Sequence, residues 1–185
     1  MIHVPSHIQT PATMSRATVM QGQAQVSADP NRVLTTILGS CIATCLYDPR
    51  MRVGGMNHFL LAEPQNAGKT TVDENYGVYL MEVLVNGMLA HGARKSRMRA
   101  HLYGGANLHS GMSRIGTANA GFARQFLQNE GIPIVHMDVG GVQARRVDFR
   151  PAHGQARCRA VEDNFIPNQK PMPRPQKAAG DVELF

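Results

Sequence analysis

The sequence predicts an α+β layered domain, and three observations carry that reading. Short apolar or β-branched segments recur along the chain, bounded by Asp-Pro, Gly-Gly and similar punctuation, which is how strands are written in a sequence. Only two stretches carry a solid helical period. Strands and helices do not alternate as a regular βαβ array requires. A chain of 185 residues and 20.2 kDa, with 43% hydrophobic and 17% charged residues, has the length of one domain and enough apolar material for its core.

Residues 1–15 mix Pro, Ser, Thr and His without period and predict a flexible tail. A folded body follows over 16–163, then a second flexible tail, rich in Pro and Lys, over 164–185. Within the body, residues 17–26, 42–47 and 53–61 read as strands, the last two joined by a turn at Asp48-Pro49. A strand over 42–47 puts Ala43, Cys45 and Tyr47 on one face and Ile42, Thr44 and Leu46 on the other. Residues 74–90 predict a helix: Tyr76, Leu80, Leu84 and Met88 share a stripe that Met81 and Val85 widen, and Gly92 stops it. Met98, Ala100 and Leu102 alternate with polar partners into the Tyr103-Gly104-Gly105 turn. A second helix starts near Thr117, buries Phe122, Phe126 and Leu127, and ends at Gly131. A strand over 132–139 follows. Strands around Val147 and Phe149, and around Ala156, Cys158 and Ala160, are joined by Pro151-Ala152-His153-Gly154.

Composition excludes several classes of function. No apolar run approaches the roughly 20 residues of a membrane helix, so no membrane insertion is expected. The first residues lack the basic-then-apolar layout of a secretory signal, which points to the cytoplasm. Three cysteines, Cys41, Cys45 and Cys158, are too few for a disulfide framework and fit a reducing compartment. A net charge of +6 and a pI near 9.7 favour acidic partners, with Arg94, Lys95, Arg97 and Arg99 as the densest basic run. Four Tyr, six Phe and no Trp, without any helix-turn-helix, zinc-finger or RNP pattern, offer no base-stacking platform, so nucleic acid is not the expected partner.

Gly39-Ser40-Cys41 is the segment with the most chemical content. A glycine ahead of a cysteine lets the backbone turn tightly and present the sulfur to a cleft, and backbone N–H groups at such a turn can hold a developing oxyanion. His58 lies in the strand joined through Asp48-Pro49 to the one after Cys41, within reach of it. A Cys–His pair is a sufficient core for acyl transfer, and it predicts a thiol whose alkylation titrates well below about pH 8.5. Thr35, Thr36 and Asn57 are the nearby groups able to fix the imidazole tautomer. The metal alternative joins Cys41 and Cys45 to His58, with His101 or His109. On a strand those two thiols stand about 13 Å apart, too far to share one ion, so neither metal nor cofactor is expected.

Thr35-x-x-Leu38-Gly39-Ser40-Cys41-Ile42, then Leu46-Tyr47-Asp48 and Gly54-Gly55-Met56-x-His58-Phe59, resemble the signature of the chemoreceptor glutamine deamidase family, CheD. Gly104-Gly105-Ala106, Ile115-Gly116-x-x-Asn119 and Asp138-x-Gly140-Gly141 with Arg145 and Phe149 extend the resemblance over roughly residues 17–162. It implies a single domain of mixed β-sheets packed as a sandwich with flanking helices, laid out like papain-like and deamidating-toxin cysteine hydrolases. It also implies hydrolysis of glutamine side-chain amides on methyl-accepting chemotaxis receptors to glutamate and ammonia, and possible cleavage of glutamyl methyl esters. The nucleophile falls on Cys41, the base on His58, the orienting residue on Thr35, and the turn and oxyanion support on Gly39 and Ser40. A CheC-type phosphatase is the further partner implied. The chain departs from the family pattern at Leu60-Leu61-Ala62-Glu63-Pro64, Ala118 and Ala144, none of which is a proposed site residue. The rival reading is a noncatalytic adaptor that docks on receptor or phosphatase and keeps Cys41 for packing.

Overall fold

The structure, a computed structural model, describes residues 13–64, 70–72, 74–108 and 115–161. The expected tails lie outside these residues, apart from a first strand that already begins at Ser15. In chain order the elements are β1 (Ser15–Thr18), β2 (Gln23–Ser27), β3 (Arg32–Leu38), β4 (Ile42–Asp48), β5 (Val53–His58), β6 (Ala62–Pro64) and β7 (Thr70–Val72). Then come α1 (Glu74–Ala90), β8 (Arg99–Gly104), α2 (Ile115–Asn129), β9 (Ile134–Val139), β10 (Arg145–Arg150) and β11 (Gln155–Ala160).

Two mixed sheets face each other. One has the order β1-β3-β10-β11 and the other β2-β5-β4-β8-β9, while β6 and β7 form a small separate ribbon. Each large sheet holds one parallel pair, β1 with β3 and β8 with β9, among antiparallel neighbours. The alternation along β4 decides the layering. Ala43 and Cys45 enter the core between the sheets with Leu34, Leu38, Met56, Val147 and Phe149. Ile42 and Leu46 enter a second core with Leu80, Met81, Leu84 and Met88 of α1 and Ala123 and Leu127 of α2. The result is a helix layer on a sheet on a sheet, an α+β domain with one strand buried on both faces.

The helices fall where the periodicity puts them, with α2 starting two residues earlier than expected, at Ile115. Leu127 is fully buried, whereas Phe122 and Phe126 are half-buried against the edge of the helical core. One strand expectation needs correction. Residues 17–26 are not one strand but β1 and β2, which belong to different sheets; a turn at Met20–Gln23, with Gly22 at φ +84°, carries the chain across. The Thr35-Thr36-Ile37-Leu38 stretch belongs to a full strand, β3, that crosses to β4 through Gly39-Ser40-Cys41. Both crossings, the C-terminal end of β5 and the turn after β8 meet at one corner of the sandwich.

The opposite end of β4 is closed by Asp48, whose side chain is fully buried. Its carboxylate accepts from the backbone N–H of Arg50, Met51 and Arg94 and from the Arg97 guanidinium, whose Nη2 lies 2.8 Å away. Lys95 pairs with Glu130 at 2.5 Å. Two of the four cations of the basic run, Lys95 and Arg97, are therefore paired with carboxylates, on the order of 20 Å along β4 from Cys41. Burial works to raise the Asp48 carboxyl, but the Arg97 and backbone hydrogen bonds outweigh it and hold the group at about 2. A folded-state value below the ordinary 3.8 adds stability that is complete above that pH and lost as pH falls through about 2. Asp48→Asn is expected to cost about 3 kcal/mol, because it leaves Arg97 half-buried and unpaired, and to flatten the acid limb of stability in urea titrations between pH 5 and 2.

Candidate active site

The corner where the chain changes sheets is held by its own carbonyls. Gly39 C=O accepts from Ala106 N–H at 2.8 Å, Cys41 C=O from Gly105 N–H at 2.7 Å, and Ser40 C=O from Asn119 Nδ2 at 2.8 Å. Gly104, at φ +108°, must be glycine, since a Cβ there would stand 2.2 Å from the Cys41 carbonyl oxygen. With the Ser40 carbonyl pinned by Asn119, the planar trans peptide aims the Cys41 N–H the opposite way. That N–H faces the Cys41 sulfur, and among the described residues neither Ser40 N–H nor Cys41 N–H donates to another backbone carbonyl. Asn119 is fully buried on α2, and its Oδ1 accepts from Leu61 N–H at 2.9 Å, so one amide ties the loop before Cys41 to the segment after His58.

The β4–β5 register puts Cys41 and His58 on one face. Cys45 pairs with Met56, and Ile42 and Phe59 exchange two backbone hydrogen bonds of 2.9 Å, so the same register runs to the end of both strands. His58 is then opposite Ala43, and Cys41 is its diagonal neighbour, about 7–8 Å away between Cα atoms, with Sγ turned to Gln21 and not hydrogen-bonded to Nε2. That face looks into the space between the sheets, and the Cys41 side chain packs against the inter-sheet core.

His58 is 1% exposed, and its ring makes its hydrogen bonds through Nδ1. Nδ1 lies 2.9 Å from Thr36 Oγ1 and 3.2 Å from the Val19 carbonyl oxygen. The Thr36 hydroxyl donates its one proton to that same carbonyl at 2.9 Å, and a carbonyl only accepts. A hydrogen on Nδ1 satisfies both contacts, and it leaves the Nε2 lone pair buried and without a hydrogen-bond partner among the described residues. An unpartnered Nε2 is the form of imidazole that takes a proton.

The orienting contact expected of Thr35 is thus made by Thr36. Neighbours on a strand point to opposite faces, and Thr35 Oγ1 donates to Asp148 Oδ1 at 2.8 Å on the far side of β3, where Arg16 and Arg159 also pair with that carboxylate. Asn57 faces the helices instead, accepting from Thr44 N–H and donating to Leu80 C=O. Of the metal alternative, His101 stacks edge-on with Tyr47 and His136, and His109 lies outside the described residues. A further neighbour had no signal in the sequence: Gln21, from the β1–β2 turn, accepts from Cys41 Sγ–H at 3.5 Å.

Burial dominates the electrostatics. It pushes the Cys41 thiol up to about 12, with the backbone N–H of Cys41 pulling weakly the other way. It pushes the His58 imidazolium down to about 4, opposed by the Val19 carbonyl. The resting pair is a neutral thiol beside a neutral imidazole, not the preformed ion pair that the sequence predicts.

Residues 60–160 match the family described as CheD chemotactic sensory transduction. A probable chemoreceptor glutamine deamidase CheD from Zymomonas mobilis is 55% identical over 175 residues, covering 92% of each chain. Proteins of the same description from Caulobacter vibrioides and Agrobacterium fabrum are 48% and 43% identical, covering 97% and 94% of this chain and 98% of theirs.

Two outcomes are expected of this geometry. Thr36→Val, which removes one of the two acceptors of Nδ1–H, is expected to lower kcat roughly tenfold, part of the ~10²–10⁴ that general acid–base catalysis supplies, while Thr35→Val leaves kcat within about twofold. Steady-state kinetics on a purified receptor fragment would separate them, and equal losses would overturn the assignment. In the pH profile of kcat/KM the acid limb is expected near pH 4, where His58 gains its proton and ceases to act as a base. Alkylation of Cys41 in the resting protein is expected to keep rising with pH through 9, without a plateau near neutrality.

Proposed function

The chain belongs to the CheD family, and from that membership and the common face of Cys41 and His58 we propose that it is a chemoreceptor glutamine deamidase, a hydrolase of side-chain carbon–nitrogen bonds. A glutamine of a methyl-accepting chemotaxis receptor enters the corner of the sandwich. His58 Nε2 takes the thiol proton as Cys41 Sγ attacks the amide carbon, and the oxyanion meets the N–H of Cys41, supported by the Gly39-Ser40 turn. The protonated Nε2 returns that proton to the nitrogen as the carbon–nitrogen bond breaks. Ammonia leaves and a glutamyl thioester remains. Water, deprotonated by His58, then cleaves the thioester to glutamate and restores the thiol. Glutamyl methyl esters fit the same sequence with methanol as leaving group.

The observation that carries this reading is the unpartnered, buried Nε2 of a ring held at Nδ1, on the face that Cys41 shares. A packing histidine would have both nitrogens satisfied. Thr36 holds the ring, in place of Thr35. A receptor substrate supports a cytoplasmic location, at the receptor signalling region, where a CheC-type phosphatase is the further partner proposed. Among the described residues no helix is long and apolar enough to cross a membrane.

Mass spectrometry of a purified receptor before and after incubation tests the proposal. Wild-type protein is expected to convert particular glutamines from amide to acid with stoichiometric ammonia, and Cys41→Ala to lose at least ~10⁴-fold in rate. Conversion by Cys41→Ala at the wild-type rate would sink it.

A further inference from the structure

Gln21 is a side-chain carboxamide held against the sulfur of a protein whose proposed substrate is a side-chain carboxamide. It sits second in the Met20–Gln23 turn, closed by Gln23 N–H to Met20 C=O at 3.0 Å and by Met20 N–H to Gln23 Oε1 at 3.0 Å. Gly22, at φ +84°, gives the turn its left-handed corner, and its N–H donates to the His58 carbonyl at 2.7 Å. Gln23 is the cross-strand partner of His58. The turn is therefore anchored to the backbone of the proposed base. The Cys41 thiol is the donor in the 3.5 Å contact, so the face of Gln21 turned to the site is its oxygen, an acceptor.

We infer that Gln21 is a specificity-determining residue that favours amide over ester substrates, by accepting an N–H of the departing nitrogen at Oε1. The inference rests on the deamidase reading. At the start of reaction the substrate carbon lies about 3–3.5 Å from Sγ, and its nitrogen is one bond of about 1.33 Å further on. The two heteroatoms on that carbon divide between two sides. The oxygen turns to the Cys41 N–H, and the nitrogen turns to His58, which must protonate it. The turn that carries Gln21 is bonded to the His58 backbone, and the inference puts Oε1 on that side of the sulfur. When the thiol proton passes to Nε2, Oε1 loses its resting donor and is free to accept.

An amide nitrogen fills both positions. As the carbon becomes tetrahedral, the nitrogen lone pair takes the proton from Nε2, while one of its two N–H bonds donates to Oε1. The carbon–nitrogen bond then breaks and ammonia leaves. The methoxy oxygen of an ester takes the same proton from Nε2 but has no hydrogen to give, so Oε1 faces a lone pair and both are left desolvated. Loss of the acceptor at position 21 therefore harms amide turnover and spares ester turnover.

The test compares one purified receptor signalling fragment in two forms, with glutamine or with glutamate γ-methyl ester at the modified positions, against wild type, Gln21→Met and Gln21→Glu. Gln21→Met keeps the length of the side chain and removes the acceptor. Its kcat/KM for the amide, relative to the ester, is expected to fall roughly five- to tenfold. Gln21→Glu keeps an acceptor; its charge slows both substrates through the shared thiol, and the amide-to-ester ratio is expected to stay within about twofold of wild type. Proportional losses on both substrates in Gln21→Met, or an unchanged amide kcat/KM, would overturn the inference while leaving the deamidase reading intact. Turnover that survives Cys41→Ala would remove that reading and the inference with it.

Discussion

A hydrogen bond that spans the two sheets organises the active corner. The His58 ring belongs to one sheet, and both acceptors of its Nδ1–H, the Thr36 hydroxyl and the Val19 carbonyl, belong to the other sheet or the turn leaving it. With Thr36 donating to Val19, a hydrogen on Nδ1 completes a closed cycle of the three groups. That cycle sets the ring plane and the spacing of the sheets at once. Slippage of β3 that brought Ile37 to the place of Thr36 would remove the hydroxyl beside the ring, a lost hydrogen bond worth about 0.5–1.5 kcal/mol beyond the packing lost.

The low dielectric between the sheets explains why the pair rests neutral. Separating charge there is expensive, so the thiol keeps its proton and the imidazole stays unprotonated. The same surroundings strengthen the fixed dipoles aimed at the site. Developing negative charge on a substrate oxygen meets an N–H already oriented by the Asn119 bond to Ser40 and by the planarity of the peptide. A surface Cys–His pair would ionise more easily and be attacked by solvent oxidants more readily. Here reactivity waits for a substrate that brings its own carbonyl into the corner.

Arg145 shows how the basic excess is spent. Its side chain is nearly buried and binds the Asp138 carboxylate together with the backbone carbonyls of Asp138 and Gly140, and Gly140 N–H in turn donates to the Gly104 carbonyl. The loop after β9 is thereby fastened to the glycine turn that receives the Cys41 carbonyl. Asp48 with Arg97 performs the same service at the far end of β4. These cations are structural ties, and because each is cancelled by its carboxylate partner, the net charge of +6 resides on the remaining groups of the chain.

How much of this was legible differs element by element. The stripe of Leu80, Leu84 and Met88, the alternation through Ala43 and Cys45, and the glycine stops are local patterns, because helix and strand periods depend only on near neighbours. The spaced blocks around Cys41 and His58 identified the family without any coordinates. The break between β1 and β2 was missed because a turn of Gln21 and Gly22 inside an apolar stretch looks like part of a strand until the sheets separate.

The sequence by itself determined the fold class, the two helices, the family, and which sulfur and which imidazole to consider. Only tertiary structure decided that Thr36 and not Thr35 holds the ring, that Gln21 reaches the sulfur, and that the resting pair is neutral. Those outcomes depend on which face of a strand looks inward and on how deeply a group is buried. Both are set by pairing with residues 17 to over 100 positions away, such as Val19 for Thr36 and Asp148 for Thr35.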